Sequence, residues 1–192
     1  MTARTTEKAS ARERLLTAAN ELFYEEGVHT VGIDRVIARA GVAKASLYST
    51  FGSKDELVRA YLQTRHALRQ ERITRALARC DTPRERILCV FDVLGEVVAE
   101  PGFHGCAFIN ASVEARPGSA VEQVTHASRA WIRALFVDLA REAGAGDPER
   151  LAQQLALLYD GASVAAQLDR DPGVAAVARA AAATLLDAAT NH

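Results

Sequence analysis

The chain has 192 residues, of which 49 % are hydrophobic and 24 % charged, and its net charge is −1; this composition is ordinary for a globular protein with a substantial core. It contains no run of roughly 18 apolar residues and no apolar signal-peptide stretch near its start, which argues against membrane-spanning and exported classes. The three cysteines, Cys80, Cys89 and Cys106, lack metal-ligand spacing, so we expect a cytoplasmic protein with reduced thiols, no metal site and no cofactor.

Charge is distributed unevenly along the chain. Residues 1–82 hold 14 Lys and Arg against 10 Asp and Glu, whereas residues 83–192 hold 9 against 14. A basic first part fits a domain that faces nucleic acid, although the net charge of solvent-exposed surfaces can also differ this much by chance. Residues 1–9 form an expected mobile arm, in which Arg4 and Lys8, together with the nearby Arg12, could reach DNA or belong to an ordinary polar start.

The first predicted helix runs from about Ser10 to Glu26 and ends at Gly27. A second, two-turn helix follows, with apolar residues spaced for one buried face: Ile33, Val36, Ile37 and Ala40. Gly41 ends it, since a helix C-terminus favours a residue that accepts a left-handed backbone. Lys44 to Thr50 then form a short helix anchored by Leu47. Two short helices around a tight turn, with small and polar residues outside, predict a helix-turn-helix that enters the DNA major groove.

This stretch closely resembles the DNA-binding domain of the tetracycline-repressor (TetR) family of bacterial regulators. The resemblance is carried by these matching residues: Phe23, Gly27, Gly32-Ile33-Asp34, Ile37-Ala38, Ala40 to Lys44, Leu47-Tyr48, Phe51 and Ser53 to Leu57. It implies an all-α fold, with a DNA-binding domain over residues 1–53 and an effector-binding and dimerisation domain over residues 54–192. The chain departs from the family at the two helix caps, where Gly32 and Ala43 replace the usual Ser or Thr. Ala has no oxygen to hold the free amides.

Eight residues are predicted to contact DNA. They are Arg35, Ala43, Lys44, Ala45, Ser46, Tyr48, Ser49 and Lys54. The resemblance places Lys44, Tyr48 and Lys54 on phosphate, for which cationic and hydroxyl groups are suited. The alternatives are that Tyr48 packs in the core and that Lys54 is a solvated first-turn residue.

Ser53 to Glu56 has the spacing of a capping box and is predicted to open a helix that continues to about Ala78. Arg65, Arg69, Arg72 and Arg79 fall on roughly one face of this helix. We interpret that face as solvated and disfavour a basic stripe toward DNA.

Later helix starts are predicted at Thr82-Pro83, Ser119, Asp147-Pro148 and Asp171-Pro172, which brings the total to about nine helices. The last two are rich in Ala, and small residues let helices approach closely. By the family resemblance they form the interface of a homodimer; the alternative is that they pack only within the chain.

The segment Gly102 to Asn110 joins aromatic residues, a histidine, a thiol and an amide. A similar pattern in part of the family lines the effector pocket. The predicted pocket residues are Phe91, Phe103, His104, Cys106, Phe108, Asn110, His126, Trp131 and Tyr159. Apolar walls with a few polar groups suit a small molecule, although Cys106 and Phe108 could instead be core.

The sequence therefore predicts a dimeric DNA-binding regulator, a repressor that a small-molecule effector releases from a near-palindromic operator. The alternative is a ligand- or thiol-sensing helical protein, with Cys106 as the sensor and a degenerate DNA-binding head. An enzyme that uses Cys106 is disfavoured, because neither a phosphate-binding loop nor a nucleophile elbow is present.

Overall fold

A computed structural model describes residues 9–113 and 115–190. In these ranges the chain forms nine α-helices and no strand, which confirms the all-α prediction. The helices are α1 Ala11–Glu26, α2 Ile33–Ala40, α3 Lys44–Phe51, α4 Lys54–Leu77, α5 Pro83–Val98, α6 Ala107–Ser112, α7 Ala120–Glu142, α8 Pro148–Asp169 and α9 Val174–Thr190. No described helix is both long and apolar enough to cross a lipid bilayer.

The first three helices form the predicted helix-turn-helix. Ser10 and Glu13 cap α1 reciprocally, and Gly41 ends α2 with φ 61°, a left-handed backbone that glycine adopts without strain. Leu47 is the fully buried anchor of α3. Neither Gly32 nor Ala43 makes a side-chain capping bond, because neither residue has a side-chain oxygen to accept one.

Helix α4 begins after Ser53, as predicted, but its capping box differs from the prediction. Ser53 accepts a hydrogen bond from the Glu56 amide, but the Glu56 carboxylate bonds Arg59 at 3.1 Å instead of returning to the cap. The predicted capping box is therefore only half formed, because a nearby guanidinium competes for the carboxylate. The helix has 24 residues and spans about 36 Å.

The start of the last helix was also predicted wrongly. Pro172 lies in a turn, and α9 begins at Val174. The Asp171 carboxylate accepts a hydrogen bond from the Gly173 amide at 2.8 Å, which stabilises the turn in place of a helix cap. By contrast, the capping box of Thr82 and Glu85 at the start of α5 is confirmed.

The buried side chains of the described residues form two hydrophobic cores of unequal size. One lies among α5, α7, α8 and α9 and includes Phe91, Phe136 and Leu155. The other joins the helix-turn-helix to the first turns of α4, to α6 and to the start of α7. Its members include Leu57, Phe108 and Val121. The helix-turn-helix is thus packed directly against the region that follows α5.

Candidate nucleic-acid interface and internal cavity

Helix α3 presents a polar outer face above its buried anchor. Lys44, Ala45, Tyr48 and Ser49 are exposed, and Ser46 is partly exposed. Tyr48 keeps 47 % of its surface exposed, which places it outside the core. An exposed tyrosine offers both a ring and a hydroxyl to a partner surface. The geometry therefore suits contact with the edges and phosphates of a groove.

The cations of this surface are engaged in exposed ion pairs. Lys44 Nζ lies 2.9 Å from Asp34 Oδ1, and Arg35 forms two hydrogen bonds to the Glu26 carboxylate, at 2.6 and 2.8 Å. The hydrogen bond that Lys44 donates to Asp34 raises the pKa of Lys44, and the bonds that Arg35 donates to Glu26 raise the pKa of Arg35. Exposed pairs contribute little to stability, so phosphate can replace these carboxylates at small cost.

The remaining predicted DNA residues differ in their surroundings. Lys54 is partly buried, and no ion pair or hydrogen bond of its side chain occurs within the described ranges. The Ser49 hydroxyl donates to the Ser46 carbonyl at 3.2 Å, so it must leave this bond to donate to a base, while its oxygen can still accept. Arg12 lies 5.6 Å above the Phe51 ring, while Arg4 and Lys8 fall outside the described residues.

A cavity of about 370 Å³ lies behind the helix-turn-helix. Helices α1, α4, α5 and α8 and the segment before α6 contribute its walls. Its volume is in the range of small-molecule sites.

Four of the nine predicted pocket residues line this cavity: Phe103, Cys106, Phe108 and Tyr159. The other five lie elsewhere. Phe91 is fully buried in the core and stacks on Phe136 at 6.0 Å. His126 is exposed on α7, and Trp131 contacts His66 edge-on at 5.7 Å.

His104 and Asn110 build the loop beside the cavity instead of its wall. The Asn110 side chain donates to the His104 carbonyl at 2.7 Å, and the His104 amide donates to Tyr24 Oη at 3.1 Å. Tyr24 Oη in turn donates to the Gly105 carbonyl at 3.1 Å. Gly105 has φ +83°, a backbone conformation that other residues seldom adopt, so this turn favours glycine.

Three arginines of α4, Arg65, Arg69 and Arg72, line the cavity. The interpretation of their face as solvated was wrong for Arg65 and Arg69, which are partly buried, whereas Arg72 and Arg79 are exposed. Arg65 lies 3.8 Å above the Tyr24 ring, and Arg69 lies 4.5 Å above the Phe108 ring. Their spacing along α4 did place them on one face, but it did not show that α1 and α6 would cover that face.

Arg69 also contacts the predicted thiol. Its Nη2 lies 3.5 Å from Cys106 Sγ, and its Nη1 donates to Ser128 Oγ at 3.2 Å. Cys106 stands at the start of α6 without making a capping bond. In the described part of the chain, no group of three His, Cys, Asp or Glu residues could hold a metal ion.

Comparisons with known proteins agree with this architecture. A family model described as "Bacterial regulatory proteins, tetR family" matches residues 15–61. A second, described as "Tetracyclin repressor-like, C-terminal domain", matches residues 83–182, more than half of the chain. The chain belongs to the TetR family. It is therefore a helix-turn-helix transcriptional regulator.

Individual TetR-family structures and sequences support this assignment. The crystal structure of SCO4454, a TetR-family transcriptional regulator from Streptomyces coelicolor, is 34 % identical with a TM-score of 0.89, over 94 % of this chain and 96 % of that one. The reduced form of E. coli NemR is 26 % identical with a TM-score of 0.79, over 90 % and 94 % of the two chains.

The curated relatives include one protein named as a transcriptional activator and one named as a transcriptional repressor. The transcriptional activator FasR of Mycolicibacterium smegmatis is 31 % identical over 133 residues, which cover 69 % of this chain and only 60 % of that protein. The transcriptional repressor NemR of Escherichia coli K12 is 28 % identical over 171 residues, or 83 % and 85 % of the two chains. The names of these relatives thus include both activation and repression.

Proposed function

We propose that this TetR-family protein is a homodimeric repressor that a small-molecule effector releases from a near-palindromic operator. The observation that carries the proposal is that one cavity is shared by the helix-turn-helix and the rest of the chain. Four residues of α1 line it: Asn20, Glu21, Tyr24 and Glu25. A ligand in this cavity touches the DNA-binding part directly.

The polar outer face of α3, called the reading surface below, supports the DNA-binding part of the proposal. In each subunit α3 enters a major groove, with Lys44, Tyr48 and Lys54 on phosphates and Ala45 and Ser46 against base edges. Two such helices in a dimer meet half-sites about one helical turn apart.

Helix α1 provides the coupling between ligand and DNA. Tyr24 joins α1 to the segment before α6 through its two hydrogen bonds, and Glu21, also on the cavity wall, pairs with Arg39 of α2 at 2.7 Å. A ligand that displaces α1 therefore moves the helix-turn-helix. Effector and operator then oppose each other, and the antagonism is reciprocal.

The outer faces of α8 and α9 support dimerisation. Leu157, Leu168 and Val177 expose 63 to 75 % of their surface in the single chain. Gly161 and Ala181 lie among them and are also exposed. Such apolar, small-residue faces suit an isologous four-helix interface.

Operator binding is tested with a selection from random duplexes, followed by titration of the purified protein at several salt concentrations. We expect one near-palindromic sequence to be bound as a dimer, with affinity falling as salt rises. In vitro transcription from a promoter that carries this sequence should decrease. Equal weak binding to all duplexes would contradict the regulator function, and increased transcription would contradict repression.

Thiol sensing is a second candidate, favoured by one contact. Cys106 faces the cavity beside the Arg69 guanidinium, and cysteines next to cations are often reactive. Cys89 is a matched internal reference, since burial and then its hydrogen bond with Cys80 raise its pKa to about 12. Iodoacetamide at pH 8 followed by mass spectrometry should label Cys106 before Cys89 and weaken operator binding. Labelling that leaves operator binding unchanged would exclude this candidate.

A further inference from the structure

Arg69 is a cation that the fold leaves without a counter-ion. It is partly buried on α4, and its two hydrogen bonds go to a hydroxyl and a thiol, those of Ser128 and Cys106. No ion pair of Arg69 occurs among the described residues. A guanidinium carries five N–H donors, and a charge withdrawn from water without a partner is costly. The site is therefore electrostatically incomplete.

The carboxylates around Arg69 are engaged elsewhere or lie toward solvent. Asp160 pairs with Arg129 at 2.7 Å, and Glu100 pairs with Arg72 at 2.6 Å. The Glu21 pair with Arg39 engages a third carboxylate, and Glu25 is exposed. Asp160 therefore acts on Arg69 only through its longer-range charge, and none of these carboxylates forms an ion pair with Arg69 among the described residues.

The rest of the wall adds the Tyr159 hydroxyl, the Arg65 guanidinium and apolar surface. Tyr159 is buried on the wall, and burial raises the pKa of its hydroxyl, so the group remains a neutral donor. Apolar side chains complete the wall: Val93, Leu94, Phe103 and Phe108. This arrangement complements a molecule with one anionic end and an apolar body.

We propose that the effector is an amphipathic organic acid, whose anionic head binds Arg69 and Tyr159 and whose apolar body packs on Phe103 and Phe108. The inference rests on the proposed function of this cavity and specifies the chemistry of its ligand. The acid supplies the counter-ion that the chain itself lacks.

The test uses matched ligands that differ only in the head group. Two acids, 4-phenylbutyrate and octanoate, are titrated calorimetrically into the full-length protein beside the corresponding alcohols and amines. We expect each acid to bind about 10- to 100-fold more tightly than its alcohol, the ratio given by a hydrogen bond to a charged group. The amines should bind most weakly.

Variants of Arg69 then test whether this residue causes the preference for acids over alcohols. Arg69→Met should abolish the acid-to-alcohol ratio, Arg69→Lys should keep part of it, and Arg79→Met is the control, an exposed arginine of the same segment outside the cavity. Circular dichroism verifies folding, and the wild-type ratio stands independently of any variant.

Three results would overturn the inference: equal binding of acid and alcohol, no binding by either series, or an unchanged ratio in Arg69→Met. Operator binding without ligand is measured on the same preparations. If operator binding persists while the acid preference is missing, only the ligand class is wrong. If operator binding is missing as well, the proposed function fails.

Discussion

At the scale of single residues, Lys44 is the side chain whose role in DNA binding can be isolated most cleanly. Its ammonium group is exposed and held only by Asp34. Lys44→Ala should weaken binding to all duplexes and reduce the slope of log affinity against log salt by about one unit, because one fewer counter-ion is released.

Salt-dependent titrations of wild type and Lys44→Ala on the same duplex measure this slope. Arg84→Ala is the control, since Arg84 pairs with Asp187 between α5 and α9. An unchanged slope in Lys44→Ala would remove it from the phosphate contacts.

His66 should make the folded state sensitive to acid. Burial, and then the charge of Arg69, lower the pKa of His66, and its Nδ1 is buried without a hydrogen-bond partner in the described structure. An unfolded histidine titrates near pH 6.5, so unfolding takes up a proton below that pH. The free energy of unfolding therefore decreases as pH falls from about 7 toward the folded pKa.

Urea unfolding at pH 7.5 and 5.5 tests this dependence. His66→Gln should lose less stability between the two pH values than wild type, whereas His126→Gln, at an exposed site, should behave like wild type. Equal losses in wild type and His66→Gln would contradict the assignment.

At the scale of elements, α3 is a helix without a side-chain cap at its N-terminus. Ala43 has φ −72° and ψ 149°, which suits a capping residue, and its carbonyl already accepts a hydrogen bond from the Ser46 amide at 2.9 Å. Ala43→Thr should add about 1 kcal/mol to the free energy of unfolding by accepting a hydrogen bond from the Ala45 amide. Ala43→Val has the same shape without the oxygen, and thermal denaturation of both variants separates capping from packing. A gain in Ala43→Val as large as in Ala43→Thr would contradict capping.

Helix α1 is joined to the cavity segment by the hydroxyl of Tyr24. Tyr24→Phe removes both hydrogen bonds while the ring can still stack under Arg65. Amide hydrogen exchange over residues 102–106 should become about fivefold faster for each of the two hydrogen bonds lost, at about 1 kcal/mol a bond.

Exchange within α3 should not change in Tyr24→Phe. Tyr48→Phe is the control, because Tyr48 lies on the distant reading surface. Unaltered exchange over residues 102–106 in Tyr24→Phe would show that this contact does not hold the two parts together.

At the scale of the whole molecule, the exposed apolar face of α8 and α9 is the proposed dimer interface. Leu157→Glu combined with Leu168→Glu should convert the proposed dimer into a monomer of 20.6 kDa, because like charges would meet across an isologous interface. Operator affinity should fall by about 10²- to 10⁴-fold, since the second half-site is no longer tethered.

Sedimentation velocity measures the mass of this double variant. Val113→Glu is the control, at a site of similar exposure outside α8 and α9. A dimeric double variant with unchanged operator affinity would place the interface elsewhere.

Features that depend on residues close together in the sequence were predicted well. Gly41 ends α2, Leu47 anchors α3 and Thr82 caps α5. These features are decided by residues within one or two turns of each other, so spacing predicts them. There are two local exceptions: a guanidinium takes the Glu56 carboxylate away from the box that Ser53 begins, and Asp171 stabilises a turn instead of capping a helix.

Only the tertiary structure decided which residues face the cavity. Phe103, Cys106, Phe108 and Tyr159 were predicted by type and do line it, but Phe91 and Trp131 are equally aromatic and pack elsewhere. Arg69 looked like a surface residue because its spacing on α4 says nothing about the elements that cover it. Contacts between segments far apart in the chain place Phe108 and Cys106 against that guanidinium, and periodicity along one helix cannot encode them.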